Sequence, residues 1–368
     1  MSGAIVQGSL SDNLDGGVQH GDLIVRAYGA LRRITLNRPK ALNALTLDMS
    51  VTMMALLRGF ADDLAVGVVL LDGAGERGLC AGGDIRALYD AAKSGDHTLP
   101  EKFWATEYYL DAYIARYPKP FVAVMDGLVM GGGVGLSAHA AHRVVTDRSA
   151  IALPEVGIGY TPDIGASFRL ARTPGFAGTY LALTAERANA ADAIYCGLAD
   201  VHIALAKLAE LPAALAACRS ADDVRGQLSA LASTPAAGKI ERARAWIDTC
   251  FGANNVETIV ARLAKATDEP AQATLAVMRK MSPTSLKVTL RNVRDAAGFG
   301  RLEESLQQDY RISLACLTGH DFTEGIRAQI VDKDRNPRWQ PDTLEAVTAE
   351  IVERHFKKVG DLELTFAE

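Results

Sequence analysis

The chain has 368 residues, 49% of them hydrophobic, and a formal net charge of −5 at pH 7. This length suggests one large domain or two, with a sizeable core. The acidic balance argues against a nucleic-acid-binding protein, because such proteins usually present a basic surface.

The cysteines are odd in number, widely spaced and free of any C-x-x-C pair, which indicates neither a disulfide framework nor a zinc site. They are Cys80, Cys196, Cys218, Cys250 and Cys316. No apolar run approaches the ~20 residues that span a bilayer. The first twenty residues carry Asp12 and Asp15 and lack the apolar stretch of a signal peptide. We therefore expect a cytoplasmic protein with a flexible leader over residues 1–20.

The first elements after the leader predict a hairpin followed by a helix and a buried strand. Leu23–Tyr28 and Leu31–Leu36 are β-prone runs separated by a two-residue turn. Apolar residues then recur at helical spacing from Thr46, a plausible N-cap, to about residue 64. Val66–Leu71 is apolar throughout, as in a strand buried on both faces, and ends at Asp72-Gly73.

A glycine-rich turn follows that strand and precedes a helix. It reads Leu79-Cys80-Ala81-Gly82-Gly83-Asp84, and Ile85 begins the helical stretch. The first amides of a helix have no intrahelical partner, so this turn exposes backbone N–H groups. A further helix, predicted over residues 101–116, carries Glu107 among aromatic residues. Taken alone, Glu107 could simply lie on a solvated face.

The same arrangement then recurs. Phe121–Met125 predicts a second buried strand, and it stops at Asp126-Gly127. Gly131–Gly133 then opens another helix, so a second cluster of unpaired amides follows a strand. Two such turns could face one oxygen atom.

Two carboxylates follow on loops beside these turns. A strand over Arg143–Thr146 leads through Ala150–Leu153 to Glu155, and Asp163 comes eight residues later. Backbone amides that stabilise an oxyanion, together with a nearby carboxylate, suggest carbonyl chemistry. The alternative is that the glycines only permit close packing and the acids only cap loops.

Beyond Gly175 the pattern is wholly helical, with a final helix near Leu344–His355. The polar, proline-bearing segment over residues 332–341 precedes that helix. We expect an α/β core over residues 21–203 and a helical C-terminal region over residues 204–368.

Several motifs occur in an order that resembles a known family. Arg38–Leu45, Cys80–Ile85 and the Gly131–Gly133 turn resemble the crotonase (enoyl-CoA hydratase/isomerase) superfamily. The segments that resemble, more narrowly, the 3-hydroxyisobutyryl-CoA hydrolases are Met130–Ser137, Pro154-Glu155, Pro162-Asp163, Met281–Lys287 and Asp321–Ala328.

The resemblance implies an α/β fold, a spiral of ββα units with a helical C-terminal region. It implies that the amides of Ala81 and Gly132 hold the carbonyl oxygen of a CoA thioester. Glu155 is implied as the catalytic carboxylate, Asp163 as a group that positions substrate or water, and Glu107 as a neighbour of the acyl group. The acyl-CoA is the substrate, and no separate cofactor, metal, membrane or nucleic acid is expected. A homo-oligomer is compatible with this reading.

The resemblance also predicts where coenzyme A binds. The side chains of Arg38 and Lys40 could meet its phosphates, although surface cations are more often simply solvated. The remaining residues predicted to contact coenzyme A are Ala41, Leu42, Gly83, Asp84 and Ile85.

Gly135 distinguishes hydrolysis from hydration. Classical enoyl-CoA hydratases use two glutamates, and Gly135 occupies the position of the first. A hydrolase needs one carboxylate and an oxyanion hole, so thioester hydrolysis, in the family's setting of valine catabolism, is favoured. The alternatives are an enoyl-CoA hydratase or isomerase and a non-catalytic acyl-CoA-binding protein. Whether Glu155 acts as nucleophile or general base stays open.

Overall fold

The computed structural model describes residues 17–366, and its main feature is a seven-stranded sheet. The strands of the described residues, which include β6 and β8 outside this sheet, are β1 Val18–His20, β2 Leu23–Tyr28, β3 Leu31–Leu36, β4 Val68–Gly73, β5 Phe121–Met125, β6 Leu128–Met130, β7 His142–Val145, β8 Ala150–Ala152 and β9 Val201–His202. The sheet has the order β1-β2-β3-β4-β5-β7-β9. Strands β1 to β3 are antiparallel neighbours, and the pairs from β3 to β9 are parallel.

A second, smaller layer runs beside this sheet. Strands β6 and β8 pair in parallel, and isolated bridges join Cys80 to Val129 and Leu45 to Gly83. In this layer, β6 follows β5 of the main sheet and β8 follows β7. The bridged residues Cys80 and Leu45 likewise come after β4 and β3. The repeated passage from main sheet to second layer to helix is the predicted spiral of ββα units.

Helices cover the sheet and form most of the chain after β9. Those of the first half are α1 Leu47–Asp62, α2 Ile85–Ser94, α3 Thr98–Ala115, α4 Gly132–Ala138, α5 Ala166–Leu170, α6 Ala177–Thr184 and α7 Ala190–Tyr195. Those of the second half are α8 Leu211–Leu215, α9 Ala221–Leu231, α10 Ile240–Phe251, α11 Val256–Lys265, α12 Glu269–Met278, α13 Pro283–Ala296, α14 Leu302–Leu317, α15 His320–Ile326 and α16 Ala349–Glu353. The 3₁₀ turns are Pro39–Ala41, Glu155–Ile158, Leu205–Glu210, Arg354–Phe356 and Gly360–Leu362, and a π-helical turn spans Arg327–Val331.

Local chemistry explains several of these boundaries. The Thr46 hydroxyl accepts a hydrogen bond from the Met49 amide, 3.2 Å away, so the predicted N-cap of α1 is confirmed. The predicted hairpin is confirmed with its bounds unchanged. Strand β4 is buried over its first four residues, as its apolar sequence indicates.

Besides shifts of one to three residues at the ends of other elements, the structure differs from the sequence expectations at three places. The predicted leader lies mostly outside the described residues, but Val18–His20 already forms β1. The wholly helical reading beyond Gly175 is wrong at β9, because two residues are too few to produce a recognisable period. The final helix spans Ala349–Glu353 and continues as a 3₁₀ turn, so it begins later than predicted.

Within residues 17–366, none of the helices combines the length and the apolar character needed to cross a membrane. All five cysteines are buried and unpaired. The division at residues 203 and 204 into core and helical region stays a prediction.

Candidate active site

The two glycine-rich turns and the predicted carboxylates meet at one cavity of about 170 Å³. The cavity lies where α2, α3, α4 and the Glu155–Ile158 turn converge. Its lining residues are Ala81, Gly82, Gly83, Ile85, Leu88, Phe103, Trp104, Glu107, Met130, Gly131, Gly132, Pro154, Glu155, Ile158, Tyr160, Asp163 and Ile330. The predicted catalytic and acyl-binding residues are therefore brought together.

The first predicted oxyanion donor requires a correction. The Ala81 amide already donates to the Leu42 carbonyl oxygen at 3.0 Å, so it is not free to bind a substrate oxygen. The chain then turns at Gly82, whose φ of +107° favours glycine. This turn presents the Gly83 amide instead, and that N–H has no backbone acceptor within residues 17–366. Gly83 therefore replaces Ala81 as the first candidate donor.

The second predicted donor, Gly132, is the first residue of α4, so its amide has no intrahelical acceptor. A Cβ atom on Gly132 would lie 3.5 Å from the Gly83 nitrogen, which places the two turns next to each other. The preceding residue, Gly131, has a φ of +44° that allows the sharp entry into the helix. Two backbone donors from separate turns thus face the same cavity.

Glu155 begins a 3₁₀ turn that Gly159 ends in the left-handed conformation, with φ +71°. Its side chain is 5% exposed, and its Oε2 atom has no hydrogen-bond partner among the described residues. Its Oε1 atom lies 3.3 Å from the position of a Cβ on Gly131. The carboxyl group therefore lies against the turn that leads into α4.

Glu107 lies inside the cavity and not on a solvated face. It is 2% exposed and projects from α3. Its Oε1 atom would be 2.2 Å from a Cβ on Gly132, so a larger residue there would displace the Glu107 carboxyl group. The Glu107 carboxyl group consequently borders the candidate oxyanion donors.

Asp163 is held by two tyrosine hydroxyls. Tyr108 donates to its Oδ2 atom at 2.6 Å and Tyr160 donates to the same oxygen at 3.0 Å. The Ser313 hydroxyl contacts both tyrosine oxygens, at 2.8 and 2.5 Å. Because both tyrosine protons are directed at one oxygen, this arrangement matches an ionised Asp163.

The three carboxyl groups of the cavity are not equivalent. Burial raises the pKa of Asp163 to about 6, against the opposing effect of the two tyrosine hydrogen bonds. Burial, and then the charge of Asp163, raises the pKa of Glu155 well above its usual range. The same two causes raise the pKa of Glu107. Asp163 is therefore the group that ionises first, and Glu107 and Glu155 hold their protons longer.

Behind the cavity, Asp111 fills the space next to Gly135. Its side chain is fully buried, and both carboxyl oxygens lack hydrogen-bond partners within residues 17–366. Burial raises the pKa of Asp111, with the neighbouring charge of Glu107 as the second cause. A Cβ on Gly135 would lie 2.8 Å from Asp111 Oδ2. A glutamate at this position, as in classical hydratases, would therefore require Asp111 to move.

The predicted coenzyme A residues are only partly at the cavity. Gly83 and Ile85 line it, whereas Lys40, Ala41 and Leu42 do not. Lys40 is exposed and forms no ion pair within the described part of the chain.

Arg38 has a structural role that its sequence position did not reveal. Its guanidinium group contacts Asp84 at 3.1 Å and Asp22 at 3.4 Å, and it donates to the Ala44 carbonyl oxygen. These contacts join the 38–45 segment to the first glycine-rich turn. Asp84 in turn caps α2 by accepting from the Ala87 amide.

Sequence reasoning missed the groups that hold Asp163. Tyr108 follows Glu107 directly, but the pattern there predicted only an aromatic helix face. Ser313 lies on α14, 150 residues from Asp163, and no local motif marks it. Among residues 17–366, no group of three or more histidine, cysteine, aspartate or glutamate side chains is arranged to hold a metal ion.

Comparison with known proteins agrees with this geometry. A family model described as enoyl-CoA hydratase/isomerase matches residues 31–356. The chain is 41% identical over 352 residues to the protein named 3-hydroxyisobutyryl-CoA hydrolase, mitochondrial, of Rattus norvegicus, covering 94% of this chain and 91% of the relative. It is 39% identical over 353 residues to the protein of the same name from Homo sapiens, with the same two coverages of 94% and 91%.

Two solved structures share the fold closely. One is titled a carnitinyl-CoA dehydratase from Mycobacterium thermoresistibile, with a TM-score of 0.89, 46% identity, and coverage of 94% of this chain and 99% of that chain. The other is titled an enoyl-CoA hydratase from Rhodobacter sphaeroides, with a TM-score of 0.88, 39% identity, and coverage of 94% and 100%. The predicted α/β spiral is thereby confirmed.

Proposed function

This chain belongs to the enoyl-CoA hydratase/isomerase family, and from that premise we propose that it is an acyl-CoA thioester hydrolase acting on 3-hydroxyisobutyryl-CoA. The observation that carries the proposal is the meeting of two free amides, from Gly83 and Gly132, with the buried carboxyl group of Glu155 in one cavity. Proteins named 3-hydroxyisobutyryl-CoA hydrolase share about 40% of this sequence over most of its length. Cleavage of this thioester is a step of valine degradation.

The two amides supply the electrostatic part of the mechanism. They donate hydrogen bonds to the thioester oxygen as it becomes an oxyanion, and loss of one such donor typically costs ~2.7–4 kcal/mol of transition-state stabilisation. Because backbone donors at a turn are fixed before the substrate arrives, little reorganisation is needed during the reaction. This part of the mechanism does not depend on the role of Glu155.

Glu155 supplies the bond-forming step in one of two ways. As a nucleophile, one of its oxygens bonds to the thioester carbon, the C–S bond breaks with release of the CoA thiolate, and a mixed anhydride remains. Water then attacks the anhydride, which releases the acid and restores the carboxylate. As a general base, Glu155 would instead take a proton from the water that attacks the thioester carbon directly. We favour the nucleophile, because no serine, cysteine or histidine is among the described residues that line the cavity.

The remaining carboxyl groups position the acyl group. Asp163, held ionised through Oδ2, accepts a hydrogen bond from the 3-hydroxyl of the substrate with its other oxygen. Glu107, whose pKa is raised by burial, stays protonated beside the oxyanion donors and avoids repelling the developing negative charge. The apolar side chains of Phe103 and Trp104 surround the rest of the acyl group.

Release of free coenzyme A tests this proposal. A thiol reagent would follow CoA release from 3-hydroxyisobutyryl-, 3-hydroxypropionyl- and crotonyl-CoA. The variant is Glu155→Gln, which keeps the shape of the side chain and replaces the carboxylate by a neutral amide. We expect rapid release from the first two thioesters and its loss in the variant. Release that is absent from the unmodified protein, or unchanged in the variant, would contradict the proposal. The cytoplasmic location, and assembly as a homo-oligomer, stay predictions.

A further inference from the structure

One wall of the cavity comes from the C-terminal helical region. Of the lining residues, Ile330 lies far along the chain, whereas all the others fall between residues 81 and 163. Ile330 is partly buried and packs against the same core as Ile85 and Tyr89 of α2. The motif over Asp321–Ala328, which the catalytic account leaves without a role, leads directly to this side chain.

The backbone around Ile330 has an unusual geometry. The Asp332 amide donates to the Arg327 carbonyl oxygen, five residues earlier, at 2.8 Å, which makes Arg327–Val331 a π-helical turn. Such turns are rare and occur frequently at functional sites, because they bulge the backbone and redirect a side chain. Here the bulge carries Ile330 to the cavity.

An ion-pair cluster centred on Arg327 holds this turn. The guanidinium group forms a two-point contact with Glu324, at 2.8 and 2.9 Å, from the preceding helical turn. It also contacts Asp332 at 2.8 Å and Asp334 at 2.6 Å, on the segment that leaves the turn. A planar guanidinium with several carboxylate partners fixes geometry better than a single flexible pair. The cluster thus ties the two ends of the bulge together.

The helix before the bulge packs directly on the catalytic turn. A Cβ on Gly325 of α15 would lie 2.3 Å from the Ile158 carbonyl carbon, and a Cβ on Gly159 would lie 2.0 Å from the Asp321 carbonyl oxygen. Glycine at both positions allows the two backbones to touch. Because Glu155–Ile158 carries the catalytic carboxylate, the distance between Ile330 and Glu155 is set by close backbone packing.

From this arrangement we propose that Ile330 is a specificity-determining residue that limits the size of the acyl group, and that the Arg327 cluster positions it. This inference rests on the proposed thioester hydrolase function. The cavity has a volume of about 170 Å³, and Ile330 is one of its lining residues. On this proposal, a short branched acyl group fits the cavity and a longer chain meets Ile330. A hydrophobic wall discriminates by roughly 10–200-fold for one methylene group.

The test compares kcat/KM for 3-hydroxyisobutyryl-CoA and 3-hydroxyhexanoyl-CoA. In Ile330→Ala, the ratio of the two kcat/KM values should change at least ~10-fold in favour of the longer thioester. This factor is the lower end of the effect of one methylene group. Ile330→Phe should change this ratio in the opposite direction, and it should favour the smaller substrate 3-hydroxypropionyl-CoA. Arg327→Lys, which cannot reproduce the two-point contact, should shift the ratio in the direction of Ile330→Ala but less. Val331→Ala is the matched control, because Val331 lies on the same turn and does not line the cavity.

The outcomes separate this inference from the function on which it rests. An unmodified protein that cleaves no acyl-CoA would refute the proposed function and remove the premise. An active protein whose ratio stays the same in Ile330→Ala and Ile330→Phe would overturn only the role of Ile330. An equal shift in Val331→Ala would also overturn it, since a general loosening of the turn would then explain the effect. Melting temperatures of the four variants establish that each is folded.

Discussion

Replacing Tyr108 by phenylalanine should raise the pKa of Asp163, because it removes the shorter of two hydroxyl contacts to that carboxylate. The contact is 2.6 Å long and fully buried, and Tyr160 at 3.0 Å would remain as a donor. Phenylalanine keeps the ring that packs against Tyr310. The change therefore keeps the ring and removes two contacts of the hydroxyl, the one with Asp163 and the one with Ser313 at 2.8 Å.

The size of the effect follows from the energy of the hydrogen bond to Asp163. A hydrogen bond to a charged group is worth ~1.5–3 kcal/mol, and 1.36 kcal/mol corresponds to about one pKa unit. The pKa of Asp163, about 6 in the unmodified protein, should thus rise by roughly one to two in Tyr108→Phe. A carboxyl group is neutral below its pKa. At pH 7 Asp163 should be mostly ionised in the unmodified protein and half or more protonated in the variant.

The assay is a pH titration of the side-chain carbon signals of ¹³C-labelled aspartate by NMR, with Asp163→Asn assigning the signal. The control is Tyr117→Phe, which removes a hydroxyl that donates to the Leu57 carbonyl oxygen at 2.8 Å, away from the cavity. The control should leave the midpoint of Asp163 unchanged. A midpoint that stays near 6 or falls in Tyr108→Phe would show that the Tyr108 hydroxyl does not hold Asp163 ionised.

Three further predictions concern catalysis. Glu155→Gln should lower turnover at least ~100-fold, which is the lower end of the effect of a positioned acid–base group. Acyl-CoA binding, measured by calorimetry, should be largely retained. Full activity in this variant would mean that another residue carries out the chemistry. Burial and the charge of Asp163 raise the pKa of Glu155, so the loss of kcat/KM on acidification should begin at a higher pH than an ordinary carboxyl group would give. Asp163→Asn should move this loss to lower pH. A pH profile that is the same in the variant would contradict the coupling between the two groups. Gly135→Glu should not confer efficient hydration of crotonyl-CoA, because a Cβ at position 135 would lie 2.8 Å from Asp111 Oδ2. Hydration, if it occurred, would be detected as a loss of absorbance at the enoyl thioester band.

A fifth prediction separates the two roles of Glu155. In a single turnover in water labelled with heavy oxygen, attack of water on the glutamyl carbonyl of a mixed anhydride leaves label in the Glu155 side chain. Mass spectrometry of the peptide containing Glu155 should detect it, with Glu155→Gln as the unlabelled control. Label found in Glu155 excludes a purely general-base role.

The sequence was sufficient to predict the strand, turn and helix repeats, because each carries its own local signal. Buried strands are short β-branched runs, and glycines mark the turns at which helices begin. The convergence of Glu107, Gly132, Glu155 and Asp163 was predicted from the resemblance and is observed at the cavity. Strand β9 was missed, since a two-residue strand exists only through its pairing with β7.

What sequence could not supply was the direction of individual groups. Ala81 and Gly83 belong to one turn, and only the conformation of Gly82 decides which amide faces the cavity. Ser313 reaches the tyrosine pair through the packing of α14 on α3, and Ile330 reaches the cavity through a π-helical turn. Each of these placements depends on contacts between segments far apart in the chain.

Identification of the products formed from 3-hydroxyisobutyryl-CoA decides between hydrolysis and the other reactions of the family, because two similar solved structures are named as a dehydratase and a hydratase. Mass spectrometry of the reaction mixture distinguishes free coenzyme A and 3-hydroxyisobutyrate from an intact thioester that has lost water. With the unmodified protein we expect coenzyme A and the hydroxy acid in equal amounts, and with Glu155→Gln both should form at least ~100-fold more slowly. Accumulation of the dehydrated thioester without release of coenzyme A would contradict the proposed hydrolysis.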